Sequence, residues 1–289
     1  MTHILPRALV LASVLCCGIA QGQLATSLRV SKNHFISGEP VTATVTITNH
    51  AGRDIEFQGF LERPWLDFVL TNSRGEPVAP TGRGIFGKVK LGAGQTLNRQ
   101  VNLSAMFQLN DPGNYAVSGT VRLPGVDSAT TVTNRVLFSV SPGRPYWSQK
   151  VGTSRFGKLR EFRVLNFSGD QKSQLYVQVL DDRTGMPINT FSLGEALLIR
   201  KPSVTVDNSQ RMHVLFLATP TSWLHCQIDT DGRLVKRDIH QRGPQGDPFL
   251  VTSPKGVVSV GNSIPYDPKA EAARRASIRK LSDRPALTY

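Results

Sequence analysis

The sequence predicts an all-β protein with two antiparallel β domains and a short basic helix at its C-terminal end. Val41–Thr48 alternates apolar residues with threonine, turn residues recur about every 8–12 positions before residue 141, and residues 160–262 repeat at a spacing of about 50 residues. Helix-forming residues follow Pro268 as far as Leu281, which predicts the helix. The predicted segments are 1–22 for a leader, 23–141 and 142–263 for the two β domains, and 264–289 for the helix and tail.

Residues 1–22 have the composition of an export signal. A basic start precedes an apolar run from Ala8 to Ala20, which is too short to span about 30 Å of hydrocarbon. Small residues near the end of this segment predict cleavage after Gly22, so we expect a secreted or periplasmic protein without a transmembrane span. Cys16 and Cys17 leave a lipid-anchored form open as the alternative.

The chain of 289 residues has a formal charge of +13, with 39% hydrophobic and 19% charged residues. This composition excludes a coiled coil, a collagen and a fully disordered chain. The positive excess is spread along the sequence and not concentrated among aromatic residues, which argues against a nucleic-acid-binding protein. We expect an envelope protein or an anionic polysaccharide as the partner.

Short strands separated by turn residues make up most of the first domain. Val41–Thr48 buries one face, since its apolar residues occupy the odd positions and its threonines the even ones. Trp65–Leu70 runs into the turn residues Asn72–Gly75, which indicates a hairpin. Tyr115–Val121 and Val132–Val140 complete a series that is typical of an antiparallel sandwich.

Several of these segments resemble exported bacterial immunoglobulin-like or macroglobulin-like modules over residues 28–141. The similar stretches are Phe35–Val41 followed by Asn49, then Leu91–Gly94 and Asp111–Tyr115. The resemblance implies a β-sandwich in which Tyr115 is the tyrosine corner, with its ring in the core. The sequence lacks the cysteine pair of antibody domains, so the resemblance extends to the sandwich alone.

The second domain follows a linker at Ser141–Pro145 and contains the internal repeat. Arg163–Phe167 and Leu175–Val179 are echoed by His213–Leu217 and Leu224–Ile228. Residues 160–262 resemble the blades of sialidase-type β-propellers, without bringing a sialidase active site. About two and a half blade-like units are present, fewer than the four or so of a closed ring. We therefore expect an open or sandwich-like β layer, with ring completion by partner chains as the alternative.

Cys226 is the one cysteine beyond the leader, so an internal disulfide is excluded. It lies in Trp223–Ile228, where the alternation places it on an apolar face with Leu224. We expect Cys226 in the core and not as a nucleophile beside His225, because adjacent strand residues point to opposite faces.

The densest basic cluster of the chain has phenylalanine residues between its members. The four basic residues are Arg155, Lys158, Arg160 and Arg163. We expect them to be ligand-binding residues for an anionic glycan or another anionic polymer. A basic edge strand that deters the addition of further strands explains the same pattern.

The histidines and carboxylates predict neither a metal site nor a cofactor. A loop at Thr219–Ser222 pairs Ala218 with Trp223, and in that register His213 and His225 lie on opposite faces of the sheet. The acidic clusters at 181–182 and 229–232 are typical of tight turns, since neither continues into a calcium-binding loop. The common catalytic motifs for nucleotide binding or nucleophilic hydrolysis are missing from the sequence.

These observations favour a non-catalytic exported binding or structural protein of the cell envelope. A protease inhibitor is one alternative, since Asp67–Gly75 and Leu91–Gly94 also resemble bacterial proteinase-inhibitor sandwiches. A glycan-directed hydrolase on the second β domain is the other, because distant turns can assemble a pair of carboxylates.

Overall fold

A computed structural model describes residues 23–60, 63–82, 84, 86–124, 130–153, 158–169, 172–267, 269, 270, 272 and 273. The described chain is all-β, and its mostly antiparallel sheets pack as in a sandwich, which confirms the predicted fold class. The predicted leader with Cys16 and Cys17 lies outside the described residues, as does most of the predicted C-terminal helix. Within the described ranges, no helix has the length and apolar character needed to cross a membrane.

The chain folds into two compact units. The first contains the residues up to Asn33 together with Val41–Gln108 and Asn114–Phe138. The second contains His34–Pro40, Leu109–Gly113 and the residues from Ser139 onward. Three separate stretches of chain therefore build the second unit.

Ten short strands are described as far as Ser141. They are β1 (Leu24–Val30), β2 (His34–Ile36), β3 (Thr42–Asn49), β4 (Ile55–Phe57), β5 (Leu66–Thr71), β6 (Val89–Leu91), β7 (Thr96–Asn102), β8 (Gly113–Arg122), β9 (Thr130–Val132) and β10 (Val136–Ser141). A 3₁₀ helix at Leu103–Ala105 follows β7, and the side chain of Asn102 caps it by accepting a hydrogen bond from the Ser104 amide at 3.0 Å.

Strands β1, β3 and β7 form an antiparallel sheet in the order β1-β3-β7. In β3, Ala43, Val45 and Ile47 are fully buried, and the threonines between them are half-buried, as the alternation in the sequence predicts. A further sheet has the order β2-β10-β8-β5 with β9 beside β8, and β4 pairs with β6.

The fully buried side chain of Asn49 fastens the end of β3 to neighbouring loops. Its two Nδ2 hydrogens are shared among three carbonyl oxygens, those of Arg53 at 2.8 Å and of Leu91 and Gly92 at 3.0 Å each. Its Oδ1 accepts from the Ala51 amide at 2.9 Å. Both ends of the side-chain amide are therefore satisfied, as burial requires.

The remaining strands all belong to the second unit. They are β11 (Arg144–Thr153), β12 (Lys158–Gly169), β13 (Lys172–Asp181), β14 (Pro187–Glu195), β15 (Ser203–Val206), β16 (Met212–Thr219), β17 (Ser222–Ile228), β18 (Leu234–Arg242), β19 (Phe249–Thr252), β20 (Val258–Gly261) and β21 (Ser263–Pro265). They form one sheet in the order β11-β12-β13-β14, a second in the order β15-β16-β17-β18-β21, and the hairpin β19-β20.

The two larger sheets of the second unit enclose one apolar core. Val164 on β12 and Val214 on β16 correspond to each other in the sequence repeat, and both lie in this core. Phe216 is 1% exposed and Cys226 is fully buried in the same cluster. The predicted sandwich-like layer is therefore present, and the resemblance to propeller blades stays a prediction.

The stretch His34–Pro40 completes the second unit. Its strand β2 pairs in parallel with the end of β10. Ile36 packs in one apolar cluster with Tyr176, and the carbonyl of Ser37 accepts a hydrogen bond from Gln178 Nε2 at 2.9 Å. Residues far apart in the sequence thus share one packed structure.

Candidate functional site

A row of imidazole and carboxylate groups crosses one face of the sheet that contains β16, β17 and β18. His213 lies on β16, His225 on β17, and Asp238 and His240 on β18, where Asp238 is directly opposite His225. The other face of β16 and β17 packs into the core, because side chains alternate along a strand. We call these four residues, together with Asp207 after β15, the polar ladder.

Apolar side chains pack beside the polar ladder and limit its contact with water. This cluster consists of Leu215, Leu217 and Trp223, with Leu197, Leu250 and Val260 packed against it. His213 and His225 are only 2% and 3% exposed. Hydrogen bonds and electrostatic interactions within the ladder are therefore stronger than they would be at an open surface.

The predicted orientation of the two buried histidines is wrong. Thr219 pairs with Ser222 across the turn, and a bulge leaves Ala218 without a paired residue. The bulge shifts the register by one residue relative to the predicted pairing, so His213 and His225 share a face. Alternation along a sequence does not report a bulge, which depends on the turn and on packing.

Hydrogen bonds link Asp207, His213 and His225 into a chain. His213 Nε2 lies 3.1 Å from Asp207 Oδ2, and His213 Nδ1 lies 3.0 Å from His225 Nε2. A carboxylate only accepts, so in neutral imidazoles His213 Nε2 carries a proton and His213 Nδ1 accepts from His225 Nε2. This assignment, which follows from the network, leaves a lone pair on Nδ1 of His225.

Burial keeps His225 in its neutral form. Desolvation lowers the pKa of His225 from 6.5 to about 4, and the neighbouring His213 and His240 add to this effect. Burial also lowers the pKa of His240. Both side chains therefore present neutral imidazoles near pH 7, the form that binds a metal ion.

His240 has one ring nitrogen that the structure leaves without a partner. Its Nδ1 lies 3.1 Å from Ser263 Oγ, and its ring centroid lies 6.0 Å from that of His225. Its Nε2 is buried and has no hydrogen-bond partner among the described residues. Since buried polar atoms nearly always have a partner, this nitrogen marks an incomplete interaction.

His225, Asp238 and His240 bring three metal-ligating groups together. One ligand atom from each lies within 4.8 Å of the other two. Sequence reasoning weighed only His213 with His225 and therefore missed Asp238 and His240. Asp238 and His240 are two positions apart on one strand, and this spacing, which places both side chains on one face, is the signal in the sequence that could have identified them.

Cys226 lies on the opposite, apolar face of β17, as predicted. Burial raises the pKa of its thiol to about 11. The thiol is therefore protonated at neutral pH, and the alternation separates it from the imidazole of His225.

We expect Cys226 of the native chain to resist modification by 5,5′-dithiobis(2-nitrobenzoate). At pH 8 its reaction should be at least about 100-fold slower than in the urea-unfolded chain, because the thiolate is scarce and buried. The measurement uses a chain from which Cys16 and Cys17 have been removed by substitution or with the leader. Ser209→Cys, at an exposed turn, should add one rapidly reacting thiol, and rapid reaction of Cys226 itself would contradict its assignment to the core.

Arg160, one of the four predicted ligand-binding basic residues, is 7% exposed and committed to intramolecular contacts. Its Nη1 lies 2.8 Å from Asp181 Oδ2, and its Nε donates to the carbonyl of Thr230 at 3.3 Å. The guanidinium thus joins β12 to the turn between β17 and β18.

Arg163, a second member of the basic cluster, binds both carboxylate oxygens of Glu161 at 2.7 and 3.0 Å. Arg160 and Arg163 alternate to opposite faces of β12, so the structure does not bring them together. Arg155 and the side chain of Lys158 lie outside the described part of the chain. The ligand-binding role of this cluster therefore stays a prediction.

The two acidic clusters serve the backbone of tight turns. Asp229 Oδ1 accepts from the amides of Asp231 at 3.0 Å and Arg233 at 2.8 Å. Asp181 Oδ1 accepts from two amides of its own turn at 3.1 Å each. These contacts fit the predicted turns.

A groove of about 1070 Å³ opens along β18, beside the turn between β16 and β17. Its charged lining residues are Arg237 and Arg242, and none of the described residues that line it carries a carboxylate. The full lining consists of Ala218, Thr219, Pro220, Thr221, Ser222, Leu224, Arg237, Ile239, Gln241, Arg242 and Tyr266. The groove therefore combines positive charge, hydroxyl and amide groups, and one aromatic ring.

Both arginines of the groove are held in place by neighbouring groups. Arg237 Nη2 donates to the carbonyl of Leu193 at 3.1 Å. The guanidinium of Arg242 lies 5.5 Å from the ring centroid of Trp223, and its Nε donates to Asp247 at 2.6 Å. This groove was not predicted from the sequence, since its residues come from separate elements.

No protein family matches this sequence, and no curated protein matches it significantly. Among solved structures, the crystal structure of Spo0M, a sporulation control protein from Bacillus subtilis, aligns with 60% of this chain and 91% of its own chain. The identity is 11% and the TM-score is 0.28. An alignment at that score bears on neither the architecture nor the function of this protein.

Proposed function

We propose that this chain is an exported, non-catalytic binding protein of the cell envelope that holds an anionic polysaccharide in the groove along β18. The observation that carries this proposal is the lining of the groove, in which Arg237 and Arg242 are the charged residues. The composition of residues 1–22 supports export. The net charge of +13 supports an acidic partner.

The lining suits the chemistry of an acidic sugar chain. Guanidinium groups bind carboxylate, sulfate or phosphate groups through charge-assisted hydrogen bonds. Tyr266 is half-buried beside β18 and provides a ring face and a hydroxyl, while Thr219, Thr221 and Gln241 provide hydrogen bonds for sugar hydroxyls. A volume of about 1070 Å³ is at the upper end for ligand sites, which favours several linked sugars over one small molecule.

The same lining supports binding without turnover. Glycoside hydrolysis generally requires two carboxyl groups on either side of the scissile bond. The described residues that line the groove provide none, and the thiol of Cys226 is buried and protonated. We therefore favour a binding protein over a glycan-directed hydrolase.

Binding of polygalacturonate tests this proposal, with the fully methyl-esterified polymer as the neutral control. We expect the native chain to bind the acidic polymer, with an affinity that falls as salt rises, and to bind the ester much more weakly. Arg237→Gln and Arg242→Gln should each lower the affinity about tenfold, because each removes a charge-assisted hydrogen bond. Isothermal titration calorimetry measures both effects.

Lys255→Gln is the matched control, since it removes one positive charge from an exposed turn between β19 and β20. Its affinity for polygalacturonate should stay within about twofold of the native value. Equal binding of acidic and esterified polymers, or native affinity in the double variant Arg237→Gln/Arg242→Gln, would refute the groove as the binding site.

A further inference from the structure

We propose that His225, Asp238 and His240 form a binding site for a divalent transition-metal ion such as Zn²⁺. The site lies on the polar ladder and is independent of the proposed polysaccharide groove. Its three side chains come from two neighbouring strands, β17 and β18. The spacing of histidines in the sequence does not point to it.

The pairing of β17 with β18 brings the three ligand side chains close to one another. Asp238 pairs directly with His225, and His240 follows Asp238 by two residues on the same face. Their ligand atoms lie within 4.8 Å of one another. In a tetrahedral site with bonds of 2.0–2.2 Å, ligand atoms are about 3–4 Å apart. Side-chain rotations that move the ligand atoms by about 1 Å therefore complete the geometry.

Each histidine has the required lone pair on the nitrogen that is not already used. The hydrogen-bond chain from Asp207 assigns the proton of His225 to Nε2 and leaves Nδ1 for a metal ion. His240 uses Nδ1 towards Ser263, while its buried Nε2 has no partner among the described residues. A metal ion satisfies the otherwise incomplete interaction of this nitrogen.

The surrounding hydrogen bonds match the outer shell of known metal sites. Metal-ligating histidines almost always donate their second ring nitrogen to a neighbouring acceptor, which fixes the tautomer and the ring orientation. His213 accepts from His225 in this way, and Asp207 in turn holds His213. Asp207 and His213 are positioning residues, since they act through His225.

The donor set selects the class of metal ion. Two imidazoles and one carboxylate favour zinc, iron, nickel or copper over magnesium and calcium, which prefer all-oxygen sites. Three protein ligands leave at least one position for water. Asp238 also pairs with Lys236 at 2.6 Å, and this lysine is exposed enough to swing away when the carboxylate binds a metal ion.

The test uses the leader-free chain without a polyhistidine tag, stripped of metal with a chelator. Competition with a chromophoric zinc indicator should show one Zn²⁺ per chain, and excess Ca²⁺ or Mg²⁺ should not displace it. His240→Gln and Asp238→Asn should each lower the Zn²⁺ affinity by at least about 100-fold, since a lost ligand costs no less than a lost outer-shell partner. Both residues are half-buried, so these variants avoid the most tightly packed positions.

His50→Gln is the matched control, because it removes an exposed imidazole of the first unit. It should keep the native stoichiometry and affinity. Absence of a one-to-one zinc complex in the native chain, or native affinity in His240→Gln, would overturn the metal site. A failure to bind polysaccharide would contradict the proposed groove and not the metal site.

Asp207→Asn tests the positioning role separately. An amide can donate as well as accept, so this variant no longer dictates the tautomers of His213 and His225. We expect a 10–100-fold loss of Zn²⁺ affinity, the usual range of about one to two orders of magnitude for an outer-shell partner. The visible absorption of bound Co²⁺ should also shift, and an unchanged spectrum with native affinity would refute the positioning role.

Discussion

Phe216→Ala is expected to lower the free energy of unfolding of the second unit by about 3–5 kcal/mol, the range for deleting a buried aromatic side chain. Phe216 is 1% exposed and lies in the core that the two larger sheets of this unit enclose. Its removal leaves a cavity that strands on both sides cannot close, because each is fixed by hydrogen bonds to its neighbours.

Urea unfolding of the full chain measures this effect, with hydrogen exchange of peptides from β13 and β16 to assign it to the second unit. Phe249→Ala is the control, since Phe249 on β19 is 52% exposed. Its substitution should change the free energy of unfolding by less than about 1 kcal/mol. Equal effects of the two substitutions would contradict a common core between the sheets.

Asn49→Ala is expected to destabilise the first unit by about 3 kcal/mol, because four hydrogen bonds of a buried side chain are lost and each group left unpaired costs about 1–3 kcal/mol. The carbonyls of Leu91 and Gly92 and the amide of Ala51 all bond to this side chain, and the Gly92 carbonyl also accepts from the Gln95 amide at 3.1 Å. Asn49→Asp should destabilise it as well, since a carboxylate cannot donate to carbonyl oxygens.

The measurement is hydrogen exchange of peptides from β3 and β6, together with urea unfolding. Asn98→Ala provides the control, because Asn98 is exposed and its Oδ1 accepts one hydrogen bond, from Thr46. Its effect should stay below about 1 kcal/mol. Native exchange rates in Asn49→Ala would show that Asn49 does not fasten β3 to the neighbouring loops.

Local patterns in the sequence predicted the elements of this fold better than their pairing. The alternation of Val41–Thr48 follows directly from the pleat of a strand, so the buried face of β3 was readable. The core position of Cys226 followed from the same rule. The shared face of His213 and His225 was not readable, because one bulged residue in a turn reverses the assignment.

The candidate sites show a second limit of sequence reasoning. A run of basic residues suggested a binding surface, but the carboxylate that neutralises Arg160 lies on another strand, at Asp181. The ligands of the proposed metal site are likewise split between β17 and β18, with His225 on one and His240 on the other. Which charges meet depends on strand register, and register is a property of the folded chain.

The construction of the second unit from three stretches of chain has a practical consequence for dissecting this protein. A polypeptide that starts after Ser141 omits β2, so the side-chain amide of Gln178 loses its acceptor at Ser37 and Tyr176 loses the covering side chain of Ile36. A contiguous piece of the gene therefore encodes the whole second unit only when it also encodes Val41–Gln108 and Asn114–Phe138 of the first unit.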